Sequence, residues 1–189
     1  VKNIELNQKL ADGAVFSSYK VPSVIAWYRD QIYVGEGAKL LKPKLQQGKN
    51  LWHSFKMELG EDVGCKYPCS ELGKDHPRYT VLNPVDATNL FFAYLKSQIN
   101  RCLKENGVTK VDGYAVSIPA SFEANQRRDL LESLENNNIP VNKQSLIDEP
   151  NAAFLSYVLQ STANNQALKI PNDYNPNVLV FDFGAGTCD

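Results

Sequence analysis

No stretch of this sequence approaches the roughly 20 consecutive apolar residues that a membrane-spanning helix needs. The opening residues, Val1 to Asp12, lack the apolar core of a secretory signal. An excess of charge of either sign is also missing. Lys and Arg number 20 against 21 Asp and Glu, a formal net charge of −1, so no overall field draws the molecule to nucleic acid or to an acidic membrane. Cysteine is too sparse for a disulfide framework: Cys65, Cys69, Cys102 and Cys188 are the only four in 189 residues. Cys65 and Cys69 lie near His53 and His76, but a C-x-x-x-C spacing with one histidine seven residues on and no second clear pair is a poor zinc pattern. Reduced thiols in a loop are the expectation. Methionine is nearly absent, with Met57 alone, and the chain opens at Val1. Its last residues, up to Asp189, are a glycine-rich turn directly after a strand-like run. Both ends are therefore expected to be cuts in a longer chain, because a strand followed by a turn into nothing is left half paired. The expected setting is soluble and cytoplasmic, with neither nucleic acid nor membrane as a partner.

What remains is ordinary globular composition, 43% hydrophobic and 22% charged, enough for one large domain or two small ones. Between Gly13 and Val34, β-branched and aromatic residues are broken at Pro22 and near Arg29-Asp30-Gln31, which predicts short strands holding Val24, Ile25, Trp27, Ile32 and Val34. A short helix is expected within Gly35–Leu45. Residues 60–83 carry Gly60, Gly64, Pro68, Gly73 and Pro77 among charges, the pattern of an irregular insertion. Leu90, Phe91, Tyr94, Leu95, Ile99, Cys102 and Leu103 then recur at helical spacing, with Asn83 as cap, Pro84 as first helical residue and Gly107 past the end. A strand at Tyr114–Ile118 stops at Pro119. A helix from about Ser121 to Asn136 follows, with Phe122, Leu130, Leu131 and Leu134 inward. A short strand at Ser145–Ile147 leads to Asp148-Glu149-Pro150 and a helix whose buried side is Ala152, Ala153, Leu155 and Leu159. After an Asn-rich loop comes the apolar strand Val178–Phe181. Alternating strands and helices with nearly continuous apolar strands predict an α/β layered sheet, in which ligands gather at the carboxyl ends of strands.

Three stretches fall at such ends: Pro119, Asp148-Glu149-Pro150, and Asp182-Phe183-Gly184-Ala185-Gly186-Thr187. Gly184 and Gly186 permit a tight turn whose backbone N–H groups face anionic oxygens, Thr187 adds a hydroxyl, and Asp182 is placed to hold hydrated magnesium beside phosphates. A lone G-x-G is by default a plain turn; the apolar strand before it and Asp182 at the junction reverse that preference. Glu149 is either a carboxylate that polarises a water or touches the metal shell, or a helix-capping group. Lys56, in His53-Ser54-Phe55-Lys56-Met57-Glu58-Leu59-Gly60, reads on its own as a surface lysine, and Arg127 and Arg128 as helix-surface charges.

These segments carry a family resemblance. Ile118–Arg127 (IPASFEANQR), Leu146–Tyr157 (LIDEPNAAFLSY) and Val178–Asp189 (VLVFDFGAGTCD) resemble, in order and spacing, segments of the DnaK-type seventy-kilodalton heat-shock chaperones. Pro22–Tyr28, Val34–Lys39 and His53–Gly60 are similar to that family's early strands, its glycine-to-Ala-Lys turn and its catalytic-lysine segment. Residues 60–83 match less closely, as in a divergent member. The resemblance implies an actin-like, ribonuclease-H-like ATPase fold: residues 1–176 as a first lobe with an insertion near 60–83, and 177–189 as the first strand and phosphate loop of a second. It implies ATP or ADP with Mg2+ as ligands. Lys56, Glu149 and Asp189 would be catalytic, the first orienting the attacking water and meeting the γ-phosphate, the last helping to position that water or take its proton. Asp182 and Glu149 would serve the metal shell. Asp182, Gly184, Ala185, Gly186 and Thr187 would hold phosphate, with Ala185 where the family has its middle glycine. Pro119 and Arg127 would relay nucleotide state toward a peptide-binding domain. Unfolded peptide clients and co-chaperones would bind through parts outside this chain, as would the adenosine, and the family's first phosphate loop would precede Val1. Alternatives are a sugar or acetate kinase of the same superfamily, against which the Gln126-Arg127 and Asp148–Ala153 motifs speak, a catalytically silent nucleotide-sensing module, and a filament former.

Overall fold

The computed structural model describes residues 3–61, 64–163 and 179–180. The chain falls into two compact units, Val1–Asp112 with Ala124–Pro140, and Gly113–Glu123 with Val141–Asp189. Among the described residues, no helix is long and apolar enough to cross a membrane.

The first unit opens on a hairpin whose first strand composition hides: β1 (Leu6–Lys9), polar in sequence, pairs antiparallel with β2 (Val15–Ser18). Gln8 is fully buried there. Its amide donates to Lys20 O at 3.0 Å and accepts from Glu36 N at 2.7 Å, so both polar ends are satisfied and β1 is tied to the helix that follows the next hairpin. That hairpin is β3 (Val24–Tyr28) and β4 (Gln31–Val34), the strands expected from β-branched and aromatic content. Its turn residues Arg29 and Asp30 sit at φ 50° and 57°, the mirror-image turn that suits strand twist. Helix α1 (Glu36–Leu41) and a 3-10 turn (Lys42–Lys44) follow, within the span predicted helical. Strand β5 (Leu51–His53), which the sequence does not announce, pairs with the other edge of β3 to give an antiparallel sheet in the order β4-β3-β5.

Alternation across that sheet separates two cores. Ile25, Val34 and Trp52 point to one, completed by Phe55, Tyr67, Leu72, Val81, Ala87 and Phe91. Val24, Ala26, Tyr33 and Leu51 point to the other, closed by Ala38 and Leu41 of α1. Among the described residues of 60–83 there is neither helix nor strand, as expected, yet the segment supplies three of the buried side chains in the larger core. It is held by Tyr67 N–H to Leu82 O and Val81 N–H to Leu72 O, both 2.8 Å.

Helix α2 (Pro84–Glu105) begins as its sequence predicts: Asn83 Oδ1 accepts from Asp86 N at 2.9 Å and Pro84 occupies the first turn. Phe91 on its inner face meets Phe55 with ring centroids 5.9 Å apart. Helix α3 (Ala124–Asn136) packs beside α2, starting later than the predicted Ser121 and burying Leu130 and Leu134, with Leu131 half-buried.

In the second unit, β6 (Val116–Ile118) is shorter than the predicted 114–118. It pairs in parallel with β7 (Leu146–Asp148), which follows a 3-10 turn capped by the Asn142 side chain. Helix α4 (Glu149–Ala163) carries Pro150 in its first turn. Its expected buried side is corrected by the structure. Leu155 and Leu159 are 50% and 64% exposed, although the helix packs against β6 and β7.

Candidate functional site

The parallel pair places two of the motif stretches together. Val116 lies opposite Leu146, Ser117 opposite Ile147 and Ile118 opposite Asp148. Pro119 and Glu149 are the residues immediately after this last pair, so they follow neighbouring strands at the carboxyl edge. Pro119 is fully buried and its carbonyl accepts from Phe122 N at 3.2 Å, a turn that ends the strand. Glu149 is half-buried and is the first residue of α4, where the helix N-terminus favours a carboxylate. The capping reading and the ligand reading of Glu149 therefore use one position.

Lys56 belongs to the other unit. It is half-buried on a single 3-10 turn, Phe55–Glu58, a local form that the sequence does not announce. Ser54, before it, takes a left-handed conformation at φ 60°. Phe55 is 2% exposed and Leu59 3%, so the lysine is bracketed by two apolar anchors. Glu58 on the same turn accepts from Tyr67 Oη at 2.7 Å and lies 3.7 Å from Lys66 Nζ. Burial first, then this hydrogen bond, pushes the Tyr67 phenol far above its ordinary value, so it remains a donor at any working pH. Tyr67→Phe is expected to lower stability by about 1–2 kcal/mol, since a hydrogen bond to a charged acceptor is lost at a buried site. Denaturant unfolding followed by tryptophan fluorescence checks this, and an unchanged midpoint would remove the turn's tie to the insertion from the account.

Arg127 sits half-buried on α3. Asp182, Gly184, Ala185, Gly186, Thr187 and Asp189 lie outside the described residues. Among the described residues no group of three or more His, Cys, Asp or Glu side chains is placed to hold an ion. His76 packs edge-on against Trp27 and stacks on Tyr79, and its Nδ1 accepts from Tyr79 N at 3.1 Å. Burial, with Lys42 nearby, holds the His53 imidazole below its ordinary value. A cleft of 280 Å³ near the Lys56 turn has Glu58, Glu61, Asp129 and Arg128 among the described residues that line it. Three carboxylates to one guanidinium make it a poor cradle for polyphosphate.

What sequence reasoning missed in this region is Asn125 and Asp129, whose side chains reach Gly60 across 65 and 69 residues. No local signal marks such a contact.

A dnaK1 chaperone protein of Prochlorococcus marinus is 26% identical over 179 residues, covering 89% of this chain and 25% of its own length. A heat shock cognate HSP70 protein of Trypanosoma brucei brucei is 28% identical over 188 residues, with the same two coverages. The chain thus spans about a quarter of the length of the curated relatives it matches. The Hsp70 protein family model matches residues 15–189, nearly the whole sequence, and the chain belongs to the Hsp70 family.

Proposed function

We infer that this chain is part of an ATP-binding and ATP-hydrolysing domain of actin-like fold in a heat-shock-type chaperone, coupling nucleotide state to peptide binding. The observation that carries the reading is the in-register parallel pair β6–β7, whose neighbouring strands Pro119 and Glu149 follow at the carboxyl edge. In layered α/β sheets that edge is where ligands collect. Membership of the Hsp70 family supplies the nucleotide as the ligand class.

Phosphoryl transfer to water asks a protein mainly for positioning and charge neutralisation. Bound magnesium would neutralise charge on the phosphate oxygens. A carboxylate just past the end of β7 suits the outer shell of such an ion, and Glu149, the first residue of α4, would serve there. Lys56 directs its ammonium at the γ-phosphate and the attacking water, and its anchored turn keeps the side chain from wandering. Asp182, Gly184, Ala185, Gly186 and Thr187 cradle phosphate, and Asp189 helps position the water. Pro119 and Arg127 pass nucleotide state on to the peptide-binding part.

Magnesium-dependent ATP hydrolysis by the complete gene product, read in single turnovers beside a binding titration, tests the reading. Binding without hydrolysis would assign the chain to a silent nucleotide sensor, and phosphorylation of a sugar or acetate in place of water would assign it to a kinase. The 189-residue chain alone is expected to bind Mg-ATP more weakly than micromolar. It spans about a quarter of the length of its curated relatives, and part of a site would fall short of the about 8 kcal/mol that micromolar affinity requires. Calorimetry on the isolated chain decides this, and a micromolar dissociation constant would contradict it.

A further inference from the structure

The turn that presents Lys56 is too short to fix its own position. Met57 N–H donates to Ser54 O at 2.9 Å at its start, but an isolated 3-10 turn of this length has little stability. Its geometry is set by what grips it at either end. At the front, Phe55 is sunk in the core against Phe91. At the back, the grip falls on Gly60, and it comes from α3.

Both backbone polar groups of Gly60 are taken by side chains of that helix. Gly60 N–H donates to Asp129 Oδ2 at 2.8 Å, and Asn125 Nδ2 donates to Gly60 O at 2.7 Å. Asn125 and Asp129 are four residues apart, so they project from one helical face and act as two prongs. The approach is close. Gly60 has φ 82°, and a Cβ built there would lie 2.7 Å from Gln126 Cγ and 2.8 Å from Asn125 Cγ. Asp129 is 7% exposed, and a carboxylate so placed needs partners on both oxygens. It has them, since Oδ1 accepts from Arg128 Nε at 3.1 Å and from Arg128 at a second nitrogen at 2.9 Å. Asn125 is equally committed, its Oδ1 accepting from Gln126 N at 3.0 Å. Neither prong is free to swing away.

We propose that Asn125 and Asp129 are positioning residues for ATP hydrolysis, holding the Gly60 peptide so that the preceding turn keeps Lys56 in register. This rests on the reading of Lys56 as catalytic given above. Neither residue touches nucleotide; both act through the backbone four residues beyond the lysine. The helix face and the turn thus form one mechanical piece, joined by two hydrogen bonds and a glycine contact that admits no side chain.

The test uses the complete gene product and three variants, Asp129→Ala, Asp129→Asn and Asn125→Ala, in parent and Lys56→Ala backgrounds. Amide exchange over residues 55–61 is expected to rise about tenfold in Asp129→Ala, as a local opening becomes easier. Single-turnover hydrolysis should fall by roughly ten- to a hundredfold, the scale of a misplaced catalytic group, with nucleotide affinity changed less than about twofold. Asp129→Asn keeps an acceptor for the Gly60 N–H and should recover most of the rate. In the Lys56→Ala background, Asp129→Ala should cause no further slowing, because its effect passes through the lysine. Asn125→Ala, the gentler change, should repeat the pattern at smaller amplitude even if Asp129→Ala fails to fold. Unchanged exchange over 55–61 in Asp129→Asn and Asn125→Ala alike, or equal slowing by Asp129→Ala in both backgrounds, overturns the proposal. Parent-like hydrolysis by Lys56→Ala itself would instead sink the catalytic reading of the lysine, while the exchange measurement still decides whether the clamp exists.

Discussion

Lys56→Ala in the complete gene product is expected to slow single-turnover ATP hydrolysis by about a hundred- to a thousandfold while leaving nucleotide affinity nearly unchanged. A lysine aimed at the γ-phosphate and the attacking water gains most when charge moves onto the transferring oxygens. That gain belongs to the transition state, so its loss falls on the rate. On this reading ground-state affinity would come from the adenosine contacts and the phosphate loops, which the substitution leaves alone. A contact of this type typically contributes about 2.7–4 kcal/mol, which is the stated range of rate. Lys56→Arg keeps the charge but replaces a compact ammonium with a planar fork, and should restore only part of the activity. Glu149→Gln should slow hydrolysis too, though less, since water can complete the outer shell of a metal. Hydrolysis at the parent rate in Lys56→Ala would return that residue to an ordinary surface lysine.

The largest loss of stability is expected from Trp52→Ala. Trp52 is fully buried on β5, on the sheet face where Ile25, Phe55, Leu72 and Phe91 assemble. Removing an indole from a packed core forfeits its transfer free energy and leaves a cavity, typically about 3–5 kcal/mol together. Trp52→Phe should be far milder. The indole N–H is buried and finds no hydrogen-bond partner among the described residues, so the phenyl ring loses volume but also removes an unsatisfied donor. Denaturant unfolding at constant slope separates the two variants. A Trp52→Ala midpoint shift equivalent to less than about 1 kcal/mol would show that the sheet does not depend on this core.

Local chemistry made much of this architecture legible. Helix α2 carries its own instructions in Asn83, Pro84 and an apolar period, and the structure starts it at Pro84 with the Asn83 cap in place. Strands β3 and β4 follow from residues that favour a pleated surface. The strand-end positions of Pro119 and Glu149 could be read from a proline and an Asp-Glu-Pro after apolar runs, because such residues stop strands and start helices wherever they occur. The family, too, was readable, since motifs in fixed order identify a chain without coordinates.

Other features had no local trace. Strand β1 is Leu-Asn-Gln-Lys, a sequence with the composition of a loop, and it becomes a strand because Gln8 finds partners at Lys20 and Glu36. The 60–83 segment reads as polar and irregular, yet Tyr67, Leu72 and Val81 are core residues because the sheet leaves a face for them to cover. Helix α4 shows the reverse, with leucines that periodicity would bury left exposed.

By itself, then, the sequence determined the elements whose caps, breakers and apolar periods are written within a turn or two of chain, together with the family and the candidate catalytic residues. Only the tertiary structure decided which polar residues are structural, where Lys56 is held and by what. The reason is the range of the forces involved. Propensity and capping act between near neighbours, whereas the satisfaction of a buried Gln8, or of the Gly60 peptide by Asn125 and Asp129, joins residues that only the folded chain brings within hydrogen-bond reach.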